Sequence, residues 1–110
     1  VAVAGDGSFY VADGYCNARV AAFDATGRFL REWGSARAGL DVPHSIVLDQ
    51  CRELLLVADR ENGRVEAFRL DGTGAGQVDL SDAGLPYALT LRAGLLQVLL
   101  WPRDRSDPLP

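Results

Sequence analysis

The chain has 110 residues, 48% of them hydrophobic and 24% charged, which is one domain's length with enough apolar content for a core and too much for disorder. The formal net charge is −4 and all eleven basic residues are arginines scattered along the chain, so there is no basic footprint for nucleic acid. No stretch approaches the roughly 18 consecutive apolar residues of a membrane-spanning helix. Membrane attachment is therefore expected only through parts outside this chain.

The N-terminal Val1-Ala-Val-Ala-Gly5 lacks a basic region and a long apolar region, so it is not expected to be a signal peptide. It reads as the middle of a strand. Ser8 to Ala12 and Arg19 to Phe23 are predicted strands bounded by turn residues. Asp24-Ala-Thr-Gly27 is a hairpin turn, and Arg28 to Trp33 alternates as an outer strand should. Gly34 to Asp41 is a loop of small residues. Pro43 to Leu48, Glu53 to Ala58 and Arg64 to Leu70 are the next strands, and Asp71 to Gly76 is predicted to be a flexible turn. Leu85 to Leu91 and Leu95 to Leu100 follow, and no helix is expected. Two cysteines, Cys16 and Cys51, read as buried thiols in a reduced protein, although their spacing leaves a disulfide between them open.

The strands repeat. Val11-Ala-Asp-Gly-Tyr-Cys-Asn-Ala-Arg-Val20 returns as Val57-Ala-Asp-Arg-Glu-Asn-Gly-Arg-Val65, and each copy is followed by a phenylalanine, Phe23 and Phe68, 45 residues apart. Val42-Pro-His-Ser-Ile-Val-Leu48 matches Leu85-Pro-Tyr-Ala-Leu-Thr-Leu91 at an offset of 43, with Tyr87 in the place of His44. Periods of this size with strand patterning mark propeller blades. About two and a half units are present, whereas closed propellers use about 4–8 blades. The expected organisation is a partial propeller over residues 1–101, with repeats at about 1–34, 42–80 and 85–101, and an irregular tail at 102–110.

The copies differ at their turns, where Gly14-Tyr15-Cys16 stands against Arg60-Glu61. Taken singly, Tyr15 is a half-buried turn aromatic, His44 a turn or core histidine, and Arg60 a surface ion pair with Glu61 or Asp59, which contributes little. Asp13 and Asp59 are turn caps, and Arg19 and Arg64 structural residues of the repeat.

The pattern Val-Ala-Asp, Asn-x-Arg-Val, Phe resembles the NHL repeats, and the fold class it implies is an all-β, NHL-type β-propeller, present as a fragment of a six-bladed ring. Gly14-Tyr15-Cys16, Pro43-His44-Ser45 and Asp59-Arg-Glu-Asn-Gly-Arg64, in this order, resemble the lyase domain of peptidylglycine α-amidating monooxygenase. The resemblance runs from about Val1 to Leu100. It implies a zinc-dependent lyase that cleaves peptidyl-α-hydroxyglycine into an α-amidated peptide and glyoxylate, with His44 as a zinc ligand and Tyr15 and Arg60 as catalytic residues.

The same resemblance implies two further zinc histidines and a second active-site arginine from blades before and after this stretch. It also implies a structural calcium in the complete propeller, a fragment inactive by itself, and a disulfide from Cys16 to a cysteine preceding Val1. Its partners would be hydroxyglycine-extended peptides and a copper monooxygenase domain in the same polypeptide. Its location would be the secretory pathway, a secretory granule or the extracellular space. Where the family pairs two cysteines across one blade, this chain has Leu56 and Ala67, an apolar pair able to pack across adjacent strands. The competing expectation is an NHL propeller that binds a protein partner without catalysis.

Overall fold

The structure is a computed structural model and describes residues 1–15, 17–34 and 39–102. The described residues form ten strands and no helix: β1 (Ala2–Val3), β2 (Phe9–Asp13), β3 (Arg19–Phe23), β4 (Phe29–Trp33), β5 (Pro43–Asp49), β6 (Leu54–Asp59), β7 (Arg64–Arg69), β8 (Gly74–Asp79), β9 (Leu85–Arg92) and β10 (Leu95–Trp101). They pair antiparallel, each with its sequence neighbour, into a sheet β1-β2-β3-β4, a sheet β5-β6-β7-β8 and a hairpin β9-β10. This all-β arrangement of consecutive four-stranded meanders is consistent with a stretch of a propeller, and the three sheets do not close a ring.

The middle sheet explains the odd composition of β6, which is apolar without interruption from Leu54 to Ala58 before it ends at Asp59. A strand covered on both faces must be apolar at odd and even positions alike. Leu55 and Val57 point into the cluster shared with Tyr10, Val20, Ala22 and Trp33 of the first sheet. Ala58 and Leu56 point the opposite way, into a cluster with Leu89, Leu96 and Val98 of the hairpin. Leu55, Val57 and Ala58 are fully buried, and Leu55 and Val57 each contribute about 1.5–3 kcal/mol as side chains of their size leave water. Leu56 and Ala67 are register partners on β6 and β7, so this apolar pair stands directly opposite across adjacent strands.

Two expectations are corrected. The segment 71–76, expected to be a flexible turn, turns only at Asp71–Gly72 and then runs as β8, which pairs Val65 with Val78 and Glu66 with Gln77. Every residue of β8 is exposed, so it carries no alternation to betray it. Cys51 was expected to be buried. It is a free, exposed thiol in the β5–β6 turn, where the chain reverses at the sheet's end and no neighbour covers it. Cys16 and the segments 35–38 and 103–110 lie outside the described residues, and with them the disulfide expected at Cys16 and most of the expected tail.

The tight turns share one device. Asp24 Oδ1 accepts from the Thr26 hydroxyl at 2.6 Å and from the Thr26 and Arg28 amides at 2.9 Å each, while Gly27 takes the positive φ of 89° that closes the turn. Asp6 with Ser8 and Asp71 with Thr73 repeat it. In each case the neighbouring hydroxyl, followed by a backbone amide, holds the carboxyl below its ordinary value near 3.8. A depressed folded-state pKa means stability that is present above that ordinary value and lost as pH falls through the folded values. Urea titrations are therefore expected to give a plateau from pH 7 to about pH 4 and a decline below it. A midpoint that is flat down to pH 2 contradicts the role given to these carboxylates.

Candidate active site

The turns β2–β3 and β6–β7 lie at the same end of neighbouring sheets, and both are tied by the same knot. Asp13 Oδ2 accepts from Asn17 Nδ2 at 2.7 Å and from Arg19 Nε at 3.0 Å. Asp59 Oδ2 accepts from Asn62 Nδ2 and Arg64 Nε, both at 2.8 Å, and its Oδ1 accepts from the Asp41 amide at 2.7 Å. Asp13 and Asp59 thus cap their turns, and Arg19 and Arg64 hold them, as the repeat predicted. With the ends of each turn fixed, its middle is free to project other groups. In the first turn that group is Tyr15, and in the second it is Arg60.

His44 enters between them at the start of β5. Its approach is set by two unusual backbone features. Gly14 lies so close to β5 that a Cβ there would stand 2.4 Å from the Pro43 carbonyl oxygen, so only glycine lets the Tyr15 turn reach the His44 strand. Val42, β-branched and preceding proline, takes a left-handed φ of 56°, a conformation that costs about 1–3 kcal/mol. Cross-links to the next turn hold it there: Arg60 N donates to Val42 O at 3.3 Å and Glu61 N to Asp41 O at 3.0 Å.

The three side chains singled out in the sequence meet. His44 Nε2 is 3.2 Å from Tyr15 Oη, and Arg60 Nη1 donates to the same hydroxyl at 3.5 Å. Arg60 Cζ also stands 5.6 Å from the Tyr15 ring centre, within cation–π range. The Arg60 side chain is only 13% exposed and its Nε donates to Glu61 Oε1 at 2.9 Å. Burial pulls its pKa down, but the Glu61 carboxylate, together with the Tyr87 and Tyr15 phenols, more than offsets this, so the guanidinium titrates above its ordinary value. Arg60 is therefore a fixed positive charge beside a phenol. Tyr15 itself is 74% exposed, an open face rather than the half-buried turn aromatic that composition suggested.

The tautomer of His44 follows from its other partner. Nδ1 lies 2.8 Å from the Tyr87 carbonyl oxygen, which can only accept, so Nδ1 carries the proton and Nε2 of the neutral ring presents a lone pair. A backbone carbonyl on the distal nitrogen is also the usual support of a metal-binding imidazole. In chemical terms Nε2 can take a metal ion or accept the Tyr15 proton. Among the described residues no group of three or more His, Cys, Asp or Glu stands together to hold a metal, so His44 offers one ligand. Tyr87 is the site residue that was not singled out from the sequence. Its match to His44 at an offset of 43 was the signal, since equivalent positions of adjacent blades become neighbours.

The architecture is that of consecutive propeller blades, with ionisable and aromatic groups from three sheets gathered at one end. No protein-family model matches the chain. It is 42% identical over 72 residues to peptidylglycine alpha-amidating monooxygenase of Rattus norvegicus, a match covering 59% of this chain and 7% of that protein. It is 48% identical over 67 residues to peptidyl-alpha-hydroxyglycine alpha-amidating lyase 2 of Drosophila melanogaster, covering 59% of this chain and 16% of that one. A probable peptidyl-alpha-hydroxyglycine alpha-amidating lyase of Caenorhabditis elegans is 44% identical over 73 residues, covering 62% and 21%. The chain thus resembles amidating lyases over about 60% of its length and spans from 7 to 21% of the length of these three.

Proposed function

We propose that this chain is the portion of a peptidyl-α-hydroxyglycine α-amidating lyase that carries its base, one zinc ligand and a guanidinium. The observation that supports this most is the meeting of Tyr15 Oη with His44 Nε2 and Arg60 Nη1, contributed by two turns and a strand of a repeat that elsewhere needs none of them. The substrate class is a peptide extended by C-terminal α-hydroxyglycine. The names of the relatives support it, and the rat relative's name points to a monooxygenase activity in the same polypeptide that supplies the hydroxylated peptide.

In the reaction, the hydroxyl on the glycine α-carbon loses its proton to Tyr15. The C–O bond becomes the aldehyde of glyoxylate. The C–N bond breaks with its electrons going to nitrogen, and that nitrogen takes a proton to leave as the primary amide. A phenol titrates near 10 in its reference state, so it acts as a base only when a cation favours the phenolate. Arg60 Nη1 donates to the Tyr15 hydroxyl, and its fork can also hold the glycine carboxylate. His44 Nε2 would be one ligand of a zinc ion, which when bound lowers the pKa of the substrate hydroxyl. The remaining ligands would come from parts of the protein outside this chain, as would any calcium site. A secretory-pathway or extracellular location belongs to the same proposal.

Zinc content tests the His44 assignment. In the full-length protein, His44→Ala is expected to lower bound zinc by 10-fold or more at a fixed free-metal concentration. The 110-residue chain alone, with one imidazole where catalytic zinc sites use three protein ligands, is expected to bind zinc weakly and turn nothing over. Undiminished zinc in His44→Ala, or tight stoichiometric zinc in the isolated chain, contradicts the assignment.

A further inference from the structure

Tyr87 has no part in the reaction above, yet four contacts converge on it. Its carbonyl oxygen accepts from His44 Nδ1 at 2.8 Å, and its ring meets the imidazole edge-on at 4.9 Å. Arg60 Cζ stands 5.1 Å from its ring centre, closer than the 5.6 Å to the Tyr15 ring. The Trp101 indole supports it at 6.2 Å. The placement is rigid, because Leu85 and Pro86, which precede it on β9, are fully buried. Gly84 lets the start of β9 pack against the end of β10 so closely that a Cβ there would come within 2.5 Å of the Trp101 carbonyl.

We propose that Tyr87 is a positioning residue of the site, acting through Arg60 by its ring and through His44 by its backbone. A guanidinium is planar and weakly hydrated and settles over an aromatic face. With the Tyr87 ring 5.1 Å and the Tyr15 ring 5.6 Å from its Cζ, the head of Arg60 is held at the Tyr15 hydroxyl. Without the second ring the bond to Glu61 and the longer contacts with Tyr15 would have to orient it by themselves, on a side chain rich in rotamers. The phenol hydroxyl of Tyr87 has no part in this, so an aromatic ring of the same shape is sufficient. The catalytic consequence rests on the lyase reading above, whereas the physical one, an Arg60 ordered by a ring, does not.

Two readouts separate these. Turnover of a peptide ending in α-hydroxyglycine, measured in the full-length protein, should fall about 5- to 30-fold in kcat/KM for Tyr87→Leu and stay within about twofold for Tyr87→Phe. In an Arg60→Met background Tyr87→Leu should change it by less than about twofold, because the group through which Tyr87 acts is gone. Equal losses in both backgrounds, or a Tyr87→Phe as impaired as Tyr87→Leu, overturn the proposal. Spectra of 15N-arginine-labelled protein read the same point without turnover. The Arg60 Nε–H resonance should be displaced by ring currents in wild type and Tyr87→Phe and return toward the free value in Tyr87→Leu. An unmoved resonance in Tyr87→Leu overturns the proposal. A resonance that returns in a protein without lyase turnover leaves Tyr87 its role and removes the lyase reading instead. Should Tyr87→Leu fail to fold, Tyr87→Met, which fills the space without a π face, carries both comparisons.

Discussion

Tyr15→Phe is expected to lower kcat for glyoxylate release by roughly 10²–10⁴-fold, the range for removing a positioned general base, with KM within about threefold of wild type. The substitution deletes one oxygen from a 74% exposed side chain, so the fold has little to lose. The ring that flanks Arg60 remains, and Arg60 keeps its bond to Glu61 and its contact with Tyr87. Carboxylate binding by Arg60 should therefore persist while the proton acceptor is gone, which is why the loss falls on kcat and not on KM. Steady-state kinetics on the full-length protein decide it, and an unchanged kcat removes Tyr15 from the chemistry.

The largest effect on stability is expected at Asp59. Asp59→Ala should destabilise the fold by about 3–5 kcal/mol, the usual loss when one member of a buried ion pair is removed. The Asp59 side chain is wholly buried, and deleting it strips partners from Arg64 Nε, Asn62 Nδ2 and the Asp41 amide together. Asp13 fills the same position in the first sheet but is 34% exposed, so water can replace it. Asp13→Ala should cost about 1 kcal/mol or less. Chemical denaturation of the two variants side by side measures the difference, and an Asp59→Ala no worse than Asp13→Ala contradicts the buried knot. Because the Asp59 knot also anchors Arg60 and the approach to His44, its loss should impair the site as well as the fold.

Most of the fold was legible because its strands carry their surroundings in their residues. The turn residues that bound β2, the turn Asp24-Ala-Thr-Gly27 and the apolar run of β6 each follow from one kind of neighbour, whereas β4, expected to alternate, is exposed at every residue but Trp33. β8 was missed for the converse reason, since a strand exposed on both faces and rich in glycine has no neighbour to record. Cys51 was misplaced because a cysteine's usual burial is an average, and a hairpin end does not respect it.

For the site, the mismatch between Gly14-Tyr15-Cys16 and Arg60-Glu61 located two groups on equivalent turns, and the structure brings both to His44. Their roles came from resemblance, since spacing cannot show which nitrogen of an imidazole holds the proton. That depended on the Tyr87 carbonyl, 43 residues away in the chain and supplied by the next sheet. Tyr87 itself was visible as a repeat position, but its meaning required knowing that neighbouring blade entrances converge.

The most direct measurement of the central claim is product analysis of a synthetic peptide ending in α-hydroxyglycine, incubated with the full-length protein. Peptide amide and glyoxylate are expected in equal amounts, released faster than in the spontaneous reaction, with the acceleration lost in Tyr15→Phe. Release at the spontaneous rate by a folded, zinc-supplied protein would contradict it.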